Sequence, residues 1–288
     1  MIACWPGIGN IGIIAVNTLR NQLEAEEMGE IEPWEFFYPK MVTISSGVLE
    51  DMAFPFNRFY YKILKKKDLL FFVGEEQPSE GDRVYAEGKK AYKIANLVLD
   101  VAEQFSCRRV YTSGAAVSFT HHELKPRVWV VSSQESLTKE IKSYNNTILM
   151  SEIEGKSERG NITGLNGILV GLAKKRGFES ACLMGEIPDY LSGVPFPYPR
   201  ASSSVLELLG KLIGVEIDYS PMEEMSHQVD EIIDSIYEKL PAEIKEKIDQ
   251  RKTAGLPSQE IITEEDGDWL KEHMDELFRG TRGNEKPS

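Results

Sequence analysis

The stretch Gly160–Tyr190 constrains the fold more than any other part of the chain, because it holds a loop, a helix, a glycine stop and a buried strand in one run. Apolar residues recur at helical spacing from Leu165 to Leu172, and basic residues follow in the last turn, where cations suit the helix dipole. Gly177 then ends the predicted helix. The apolar run Ala181–Met184 is typical of a parallel strand buried on both faces. The stretch therefore predicts one unit of an α/β fold.

Three glycines share a second face of the predicted helix, since Gly164, Gly167 and Gly171 are three and four residues apart. A glycine inside a helix costs about 1 kcal/mol relative to alanine, so we expect a close neighbour on that face. Close packing on a sheet or on a symmetry mate is one interpretation. A ligand or partner backbone lying over the glycines is the other.

Glu186 is the first carboxylate to consider as a functional group, because it follows the buried strand directly. Ligands of open α/β sheets bind in the crevice beyond the carboxyl ends of the strands. An earlier predicted strand, Leu69–Val73, is likewise followed by Glu75, and the strand Arg109–Thr112 is followed by Gly114. We expect the sheet to bring these strand ends to one edge.

The N-terminal residues add a further strand end. The predicted strand Ile2–Trp5 turns into a helix from about Ile11 to Glu27, and residues 7–12 spell the pattern GxGxxG. A dinucleotide site also needs an acidic residue at the end of the second strand, but the strand predicted at Glu35–Tyr38 does not end in one. A tight turn whose exposed amides could hold an anion is therefore the better interpretation.

The strand ends predict a candidate crevice for a ligand or a partner, lined by backbone amides and two carboxylates. Glu75 and Glu186 could act as an acid/base pair if burial raised one pKa, whereas capping of loop amides or helix N-termini is the structural alternative. Phosphorolysis would also need a cationic clamp, for which Arg83 and Arg127 are the nearest candidates in sequence. The candidate residues are Gly7, Gly9, Asn10, Glu75, Gly114, Gly164, Asn166, Gly167 and Glu186.

Residues 34–73 interrupt the alternation of strands and helices with a β-rich segment, which predicts inserted antiparallel pairs. Further along, His121-His122-Glu123 contains half of the four histidines. Neighbouring histidines in an extended segment point in opposite directions, and a third ligand on a partner segment is not evident. A polar surface loop is therefore the favoured interpretation, with a metal site as the alternative.

The charge balance excludes one class of partner, because 33 Lys and Arg against 46 Asp and Glu give a net charge of -13. Nucleic-acid binding needs a concentrated basic surface. The three cysteines, Cys4, Cys107 and Cys182, are too far apart for a disulfide framework or a CxxC metal site. No apolar run approaches the roughly 20 residues of a membrane span. We expect a cytoplasmic protein with no cofactor and no nucleic-acid or membrane partner.

The domain organisation follows from a change in composition near residue 252. Residues 1–251 are predicted to form one α/β domain whose last part, Met222–Arg251, makes one or two exposed amphipathic helices broken at Pro241. Residues 252–288 are predicted to be an acidic, partly disordered tail. A short apolar face in this tail, including Trp269, either packs back on the domain or docks a partner.

Three motifs together resemble one family: Trp5–Gly12, the strand end Val73–Pro78, and the glycine-rich helix from Gly164 that leads to Leu183–Pro188. The chain resembles the proteasome assembly chaperone family, of the type to which the second eukaryotic chaperone subunit belongs. The resemblance covers about residues 1–240. It implies a three-layer α/β/α sandwich with a mixed sheet, similar to phosphorylase and hydrolase folds, assembled into homo-oligomers.

The same resemblance implies a non-catalytic role, the binding of proteasome α-type subunits. Some members dock through a C-terminal tail of the form hydrophobic-Tyr-any, whereas this sequence ends Lys286-Pro287-Ser288, so we expect another surface to bind. The alternative is a small-ligand-binding protein or an enzyme on a nucleoside-phosphorylase-like scaffold. Whether the protein is an enzyme stays open, but no complete catalytic constellation is recognisable, and this favours the non-catalytic role.

Overall fold

The computed structural model describes residues 1–78, 88–152 and 160–253, together with residues 269 and 273. Within these residues ten strands occur, at Ile2–Cys4 (β1), Glu26–Glu30 (β2), Met41–Ser45 (β3), Val48–Ala53 (β4), Asn57–Ile63 (β5), Asp68–Gly74 (β6), Arg109–Ser118 (β7), Val128–Ser132 (β8), Thr147–Ile148 (β9) and Glu179–Pro188 (β10). The described helices are Ile11–Gln22 (α1), Gly88–Gln104 (α2), Glu135–Lys142 (α3), Gly164–Lys175 (α4), Pro199–Ile213 (α5), Ser220–Lys239 (α6) and Ala242–Thr253 (α7).

Eight strands form one mixed sheet in the order β2-β5-β6-β1-β7-β10-β8-β9. The central strands β6, β1, β7 and β10 are parallel. β5 runs antiparallel to both β6 and β2, whereas β8 runs antiparallel to β10 and parallel to β9. The remaining strands, β3 and β4, pair only with each other and form a separate hairpin. The inserted antiparallel pairs expected from residues 34–73 are thus present.

Helices cover both faces of the sheet. Successive residues of a central strand point to opposite faces, so neighbouring residues of one strand belong to different cores. Ile2 and Cys4 belong to the core that contains α1, α3, α5, α6 and α7. Ala3 and Trp5 belong to the core that contains α2 and α4. Burial on both faces explains why β6 reads as a continuous apolar run. The predicted three-layer α/β/α sandwich with a mixed sheet is confirmed.

The end of the first helix differs from the prediction. The helix α1 ends at Gln22 rather than near Glu27, and residues 26–30 form β2 on the outer side of β5 instead. Pairing with β5 overrides the helical preference of this glutamate-rich segment, as tertiary context often does. Residues 35–38 are not a strand: Phe36 and Phe37 are buried in a turn, where both amides donate to the Pro33 carbonyl.

The two strands expected to end near the candidate crevice are longer than predicted. The parallel ladder between β7 and β10 continues to the pair Ser118 and Pro188, so Gly114 and Glu186 lie inside strands rather than beyond their ends. Gly185 lets α1 pack closely against this ladder, because a Cβ at position 185 would stand 2.7 Å from the Ile11 side chain of α1. Sheet and packed helices therefore surround Gly185 and Glu186.

The C-terminal part of the domain is packed more tightly than expected. A break at Pro241 separates α6 from α7, as predicted, but both helices bury apolar side chains rather than lying exposed. Trp269 packs against the core that contains α1 and α5. This contact is the one expected if the tail packs back on the domain. The boundary at residue 251 stays a prediction, since most of residues 252–288 lie outside the described residues.

Candidate protein-interaction surface

Asn166 ties the first turn of α4 to the end of β1. Its side-chain oxygen accepts a hydrogen bond from the Trp5 amide at 3.2 Å, and its side-chain nitrogen donates to the Trp5 carbonyl at 3.3 Å. The Thr112 hydroxyl of β7 donates to the Asn166 carbonyl at 3.1 Å. Asn166 is buried, so both polar ends of its amide are used inside the protein. This arrangement is a structural clamp.

Gln77 makes a second clamp beside the first. Its side-chain nitrogen donates to the Pro6 carbonyl at 2.6 Å, and its side-chain oxygen accepts from the Leu165 amide at 2.9 Å. That amide is one of the unpaired donors at the start of α4, the kind of group that binds an anion in other proteins. Gly164 adopts a φ of +76°, and a Cβ there would stand 3.0 Å from the Gln77 oxygen. A side chain of the protein therefore occupies this helix terminus.

The remaining candidate glycines divide into packed and open positions. Gly9 has a φ of +58°, and its carbonyl accepts from the Tyr198 amide at 2.8 Å. Asn10 caps α1 in a left-handed conformation with no side-chain cap hydrogen bond. A Cβ on Gly167 would stand 2.6 Å from Ile162, which explains that glycine by close packing. At Gly7 and Gly114, in contrast, no heavy atom of the described residues lies within 4 Å of a Cβ position.

Glu186 is held by a buried ion pair. Its carboxylate accepts hydrogen bonds from the guanidinium of Arg127, with the Nε contact at 2.8 Å, and from the Ser118 hydroxyl at 2.7 Å. Its side chain is 1% exposed. Burial by itself raises the pKa of Glu186, but Arg127 and the hydroxyl outweigh burial, so the pKa lies below its usual range. Arg127 was a candidate for a cationic phosphate clamp, but in the structure its charge neutralises that of Glu186.

Glu75 is also paired, but nearer to the solvent. Its carboxylate accepts from Lys40 at 2.8 Å and from the Phe56 amide at 3.0 Å. Burial raises the pKa of Glu75 and these two donors lower it, with a net value below the usual range. The carboxylate therefore caps the start of β5, which agrees with the structural alternative. Arg83, the other proposed clamp residue, lies outside the described residues.

The two glutamates do not form an acid/base pair. Glu75 follows β6, whereas Glu186 lies on β10, and β1 and β7 stand between those strands. Three strand spacings put the two backbones about 14 Å apart. Neither carboxyl has a raised pKa, which general acid catalysis near neutral pH needs. Ligand binding at this edge stays a prediction, and the observed contacts favour a structural role for these residues.

The hairpin β3–β4 carries an apolar face that the sequence analysis did not identify. Residues opposite each other in an antiparallel pair share a face, and so do residues two apart on one strand. Val42 pairs with Met52 and Ile44 pairs with Leu49, so these four side chains lie on the same face. A register shift between Thr43 and Ile44 accommodates the extra residue on β4 that this alignment requires.

All four side chains of this apolar face are exposed. The exposed fractions are 44% for Val42, 66% for Ile44, 62% for Leu49 and 40% for Met52. Such a continuous exposed apolar surface is typical of interaction sites. The hairpin connects β2 to β5 at the carboxyl edge of the parallel strands, since β2 is parallel to β6 and ends beside the start of β5. The candidate interaction surface is therefore this hairpin, next to the strand-end edge.

The histidine pair is buried rather than exposed as a surface loop. His121 and His122 stack at 4.2 Å between ring centroids, and the Tyr237 ring of α6 lies against both. The ligand atoms of His121, His122 and Glu123 lie within 4.8 Å of one another, close enough to hold a metal ion. However, His121 Nδ1 accepts from the Glu123 amide at 3.1 Å, so His121 Nε2 carries the proton and faces Asp249. This tautomer favours a structural histidine pair over a metal site.

The fold and the site define a three-layer α/β/α protein with a clamped strand-end edge and an exposed apolar hairpin. A family model described as the PAC2 family matches residues 1–236. The chain therefore belongs to the PAC2 family. No curated protein matches it.

Solved structures show the same fold. PbaB from Pyrococcus furiosus, described as an archaeal proteasome activator, superposes with a TM-score of 0.65 at 26% identity, over 82% of this chain and 92% of PbaB. A PAC2 family protein from Streptomyces avermitilis gives a TM-score of 0.65 at 21% identity, over 85% and 97% of the two chains. A proteasome-assembly chaperone homologue from Mycobacterium tuberculosis gives 0.64 at 16% identity, over 88% and 100%. Among the described helices, none has the length and apolar content that a membrane span requires.

Proposed function

We propose that this protein is a non-catalytic scaffold that binds proteasome α-type subunits through the apolar face of the β3–β4 hairpin. Membership of the PAC2 family supports the proteasome connection, and so does the similarity to PbaB, which is described as a proteasome activator. The observation that carries the proposal is the exposure of Val42, Ile44, Leu49 and Met52 on one face. The strand-end edge supports it indirectly, since the side chains of Asn166, Gln77 and Glu186 are engaged within the protein.

The energetics of the hairpin suit a docking element. Full burial of a Val, Leu, Ile or Met side chain contributes about 1.5–3 kcal/mol relative to its exposed state. Because the four side chains are 40–66% exposed, covering them would contribute about half of four such amounts, roughly 3–6 kcal/mol, before the cost of association is subtracted. A two-stranded hairpin is marginally stable alone, so a partner would also order it.

Self-assembly and location complete the proposal. We infer from the family resemblance that several copies of the chain form a homo-oligomer and that the protein acts in the cytoplasm. Sedimentation equilibrium checks the first inference, because a single monomeric species at micromolar concentration would contradict it. Fractionation of the host cell checks the second.

The test of the proposal uses purified α-type subunits of the host proteasome and the full chain. Biolayer interferometry should show binding to the wild-type chain and at least about tenfold weaker binding to the double variant Ile44→Asn/Leu49→Asn, because polar amides on the apolar face must be desolvated on docking. The matched control is Thr43→Asn/Asp51→Asn, which changes a directly opposed pair on the other face of the same hairpin. This control should bind like the wild type.

Two results would contradict the proposal. Equal binding by both double variants would place the contact elsewhere. No binding by the wild-type chain would remove α-type subunits as the partner. The Glu75 and Glu186 alternative has its own test, since a small ligand bound through Glu75 should raise the melting temperature of the wild-type chain and not that of Glu75→Gln.

A further inference from the structure

A groove separates the outer edge of the sheet from α2. It has a volume of about 530 Å³ and lies between the end of β2 and the second half of the helix. Its apolar lining comes from Met28, Ile31, Phe59, Leu97, Val101 and Phe105. Phe105 is 53% exposed at the rim. A groove with this lining is wide enough for one large apolar side chain and its neighbours.

The strand beside the groove offers free backbone hydrogen-bonding groups. β2 is the last strand on its side of the sheet, and no described strand pairs with its outer edge. The Ile31 amide donates inward to the Asn57 carbonyl of β5 at 2.8 Å. Because inward and outward groups alternate along an antiparallel strand, the amide and the carbonyl of Glu30 point outward. An added strand would pair with these groups.

The negative charge around the groove favours a basic occupant. Glu26, Glu27 and Glu30 lie on β2, whereas Arg58 of β5 contacts the last two at 3.4 Å each. Asp100 of α2 lines the groove and pairs with Arg176 at 2.7 Å. Glu103 pairs with the same Arg176 at 2.7 Å, so five carboxylates lie near two guanidinium groups and the rim is negative. A basic segment complements this rim.

A second copy of β2 is a poor occupant of the same edge. Edge-to-edge pairing of two β2 strands would bring Glu26, Glu27 and Glu30 close to the same three residues of the other copy, and like charges directly opposite each other in a sheet are destabilising. The net charge of -13 adds a general repulsion between copies. The occupant is therefore a different protein.

We propose that β2 accepts an extended basic segment of a partner protein as an additional strand, with an apolar side chain of that segment in the groove between β2 and α2. Backbone pairing with Glu30 would provide affinity, while the groove and the acidic rim would provide selectivity. This surface is distinct from the apolar face of the hairpin. The proposal does not depend on the identity of the proteasome subunits.

The experiment measures fluorescence polarisation of a labelled peptide, Lys-Val-Lys-Phe-Lys-Val-Lys, with the full chain at 0.15 M salt, close to physiological ionic strength. Glu30→Pro removes the outward amide of an edge strand, where proline is tolerated. We expect at least about tenfold weaker binding, whereas Glu30→Gln, which keeps the amide, should lose no more than about threefold. Circular dichroism and the melting temperature check that both variants fold.

A second pair of variants tests the groove itself. Val101→Arg places a long cation in the groove and should weaken binding by about tenfold. Tyr92→Arg makes the same replacement at an exposed position of α2 outside the groove, and its affinity should stay within about twofold of the wild type. The hairpin variant Ile44→Asn/Leu49→Asn should bind the peptide normally, so failure of the hairpin proposal and failure of this one are distinguishable.

Several results would overturn the proposal. Equal binding of Lys-Pro-Lys-Pro-Lys-Pro-Lys, which cannot donate from alternate backbone positions, would show attraction by charge alone. Strand addition would be ruled out if the first peptide did not bind, or if Glu30→Pro and Val101→Arg bound it as tightly as the wild type does. Loss of self-association in Glu30→Pro would identify a second copy as the occupant.

Discussion

The strand-end edge and the β3–β4 hairpin lie next to each other at the carboxyl side of the sheet, but they use their side chains in opposite ways. At the edge, Asn166 and Glu186 are buried and fully engaged with Trp5 and Arg127. On the hairpin, apolar side chains such as Ile44 are exposed. Polar residues of a sequence motif can therefore have a structural role, while the exposed apolar surface lies on a hairpin outside the motif.

The largest effect is expected from Arg127→Met. This change leaves the Glu186 carboxylate buried without its ion-pair partner, which should cost about 3–5 kcal/mol in the free energy of unfolding. Urea denaturation at pH 7 measures it. The matched control is Lys125→Met, whose ion pair with Glu207 is exposed and should contribute less than about 1 kcal/mol. Similar losses in the two variants would contradict a buried, structural Glu186.

The same variant has a defined pH dependence. In the wild-type protein the pKa of Glu186 is lower in the folded state than in the unfolded chain. The ionised carboxylate therefore stabilises the fold above the unfolded pKa, and this stabilisation is lost as the pH falls through the folded pKa. In Arg127→Met, burial alone should raise that pKa, so protonation relieves the cost. The stability gap between the two proteins should therefore narrow as the pH falls towards about 4. A gap that stays constant would contradict this account.

A smaller loss is expected from Asn166→Leu, which keeps the side-chain size and removes both hydrogen bonds to Trp5. The unpaired amide and carbonyl of Trp5 should cost about 1–3 kcal/mol. Asn96→Leu on α2 is the control, because the Asn96 side chain donates to the Tyr92 carbonyl of its own helix and holds no second element. Equal stability of Asn166→Leu and the wild type would mean that the clamp does not hold β1 to α4.

The buried histidine pair gives a third, pH-dependent effect. Burial, together with the neighbouring His122, lowers the pKa of His121 to about 4, although Glu123 and Asp249 act in the opposite direction. A histidine with a lowered folded pKa loses stability as the pH falls from its unfolded value of about 6.5, because the unfolded chain binds the proton more tightly. His121→Gln should flatten the stability profile between pH 6.5 and about 4. The exposed histidine variant His227→Gln should leave the profile unchanged.

The smallest effect on stability is expected from the hairpin. Ile44→Asn/Leu49→Asn changes side chains that are already exposed, so the free energy of unfolding should shift by less than about 0.5 kcal/mol for each substitution. A loss of several kcal/mol would show that the apolar face is covered within the protein. Such a result would remove the hairpin as a free surface and reverse the comparison between the two regions.

Much of the fold could be predicted from the sequence because it follows from local pattern. The helix α4, its stop at Gly177 and the buried strand β10 follow from apolar spacing and glycine placement. The lengths of β7 and β10 could not be predicted, since a parallel ladder is made of backbone groups and continues through Gly114 and Gly185. The strand β2 was missed for a similar reason, because its helix-favouring residues pair with a strand far along the chain.

The candidate site was less predictable because its contacts join distant residues. Asn166 and Trp5 are 161 positions apart, and Gln77 and Leu165 are 88 apart, so the sequence alone does not reveal that these side chains fill the strand-end edge. The hairpin did carry a signal. Two segments rich in apolar and β-branched residues flank the dipeptide Ser46-Gly47, which is typical of a tight turn, and both turn residues adopt a positive φ in the structure.

The most direct test of the account compares the two regions in one binding experiment with purified host proteasome α-type subunits. Biolayer interferometry would use the wild-type chain, the hairpin variant Ile44→Asn/Leu49→Asn and the strand-end variant Glu75→Gln. The hairpin variant should lose at least about tenfold in affinity, while the strand-end variant should bind like the wild type. Loss of binding in Glu75→Gln with normal binding by the hairpin variant would contradict this expectation.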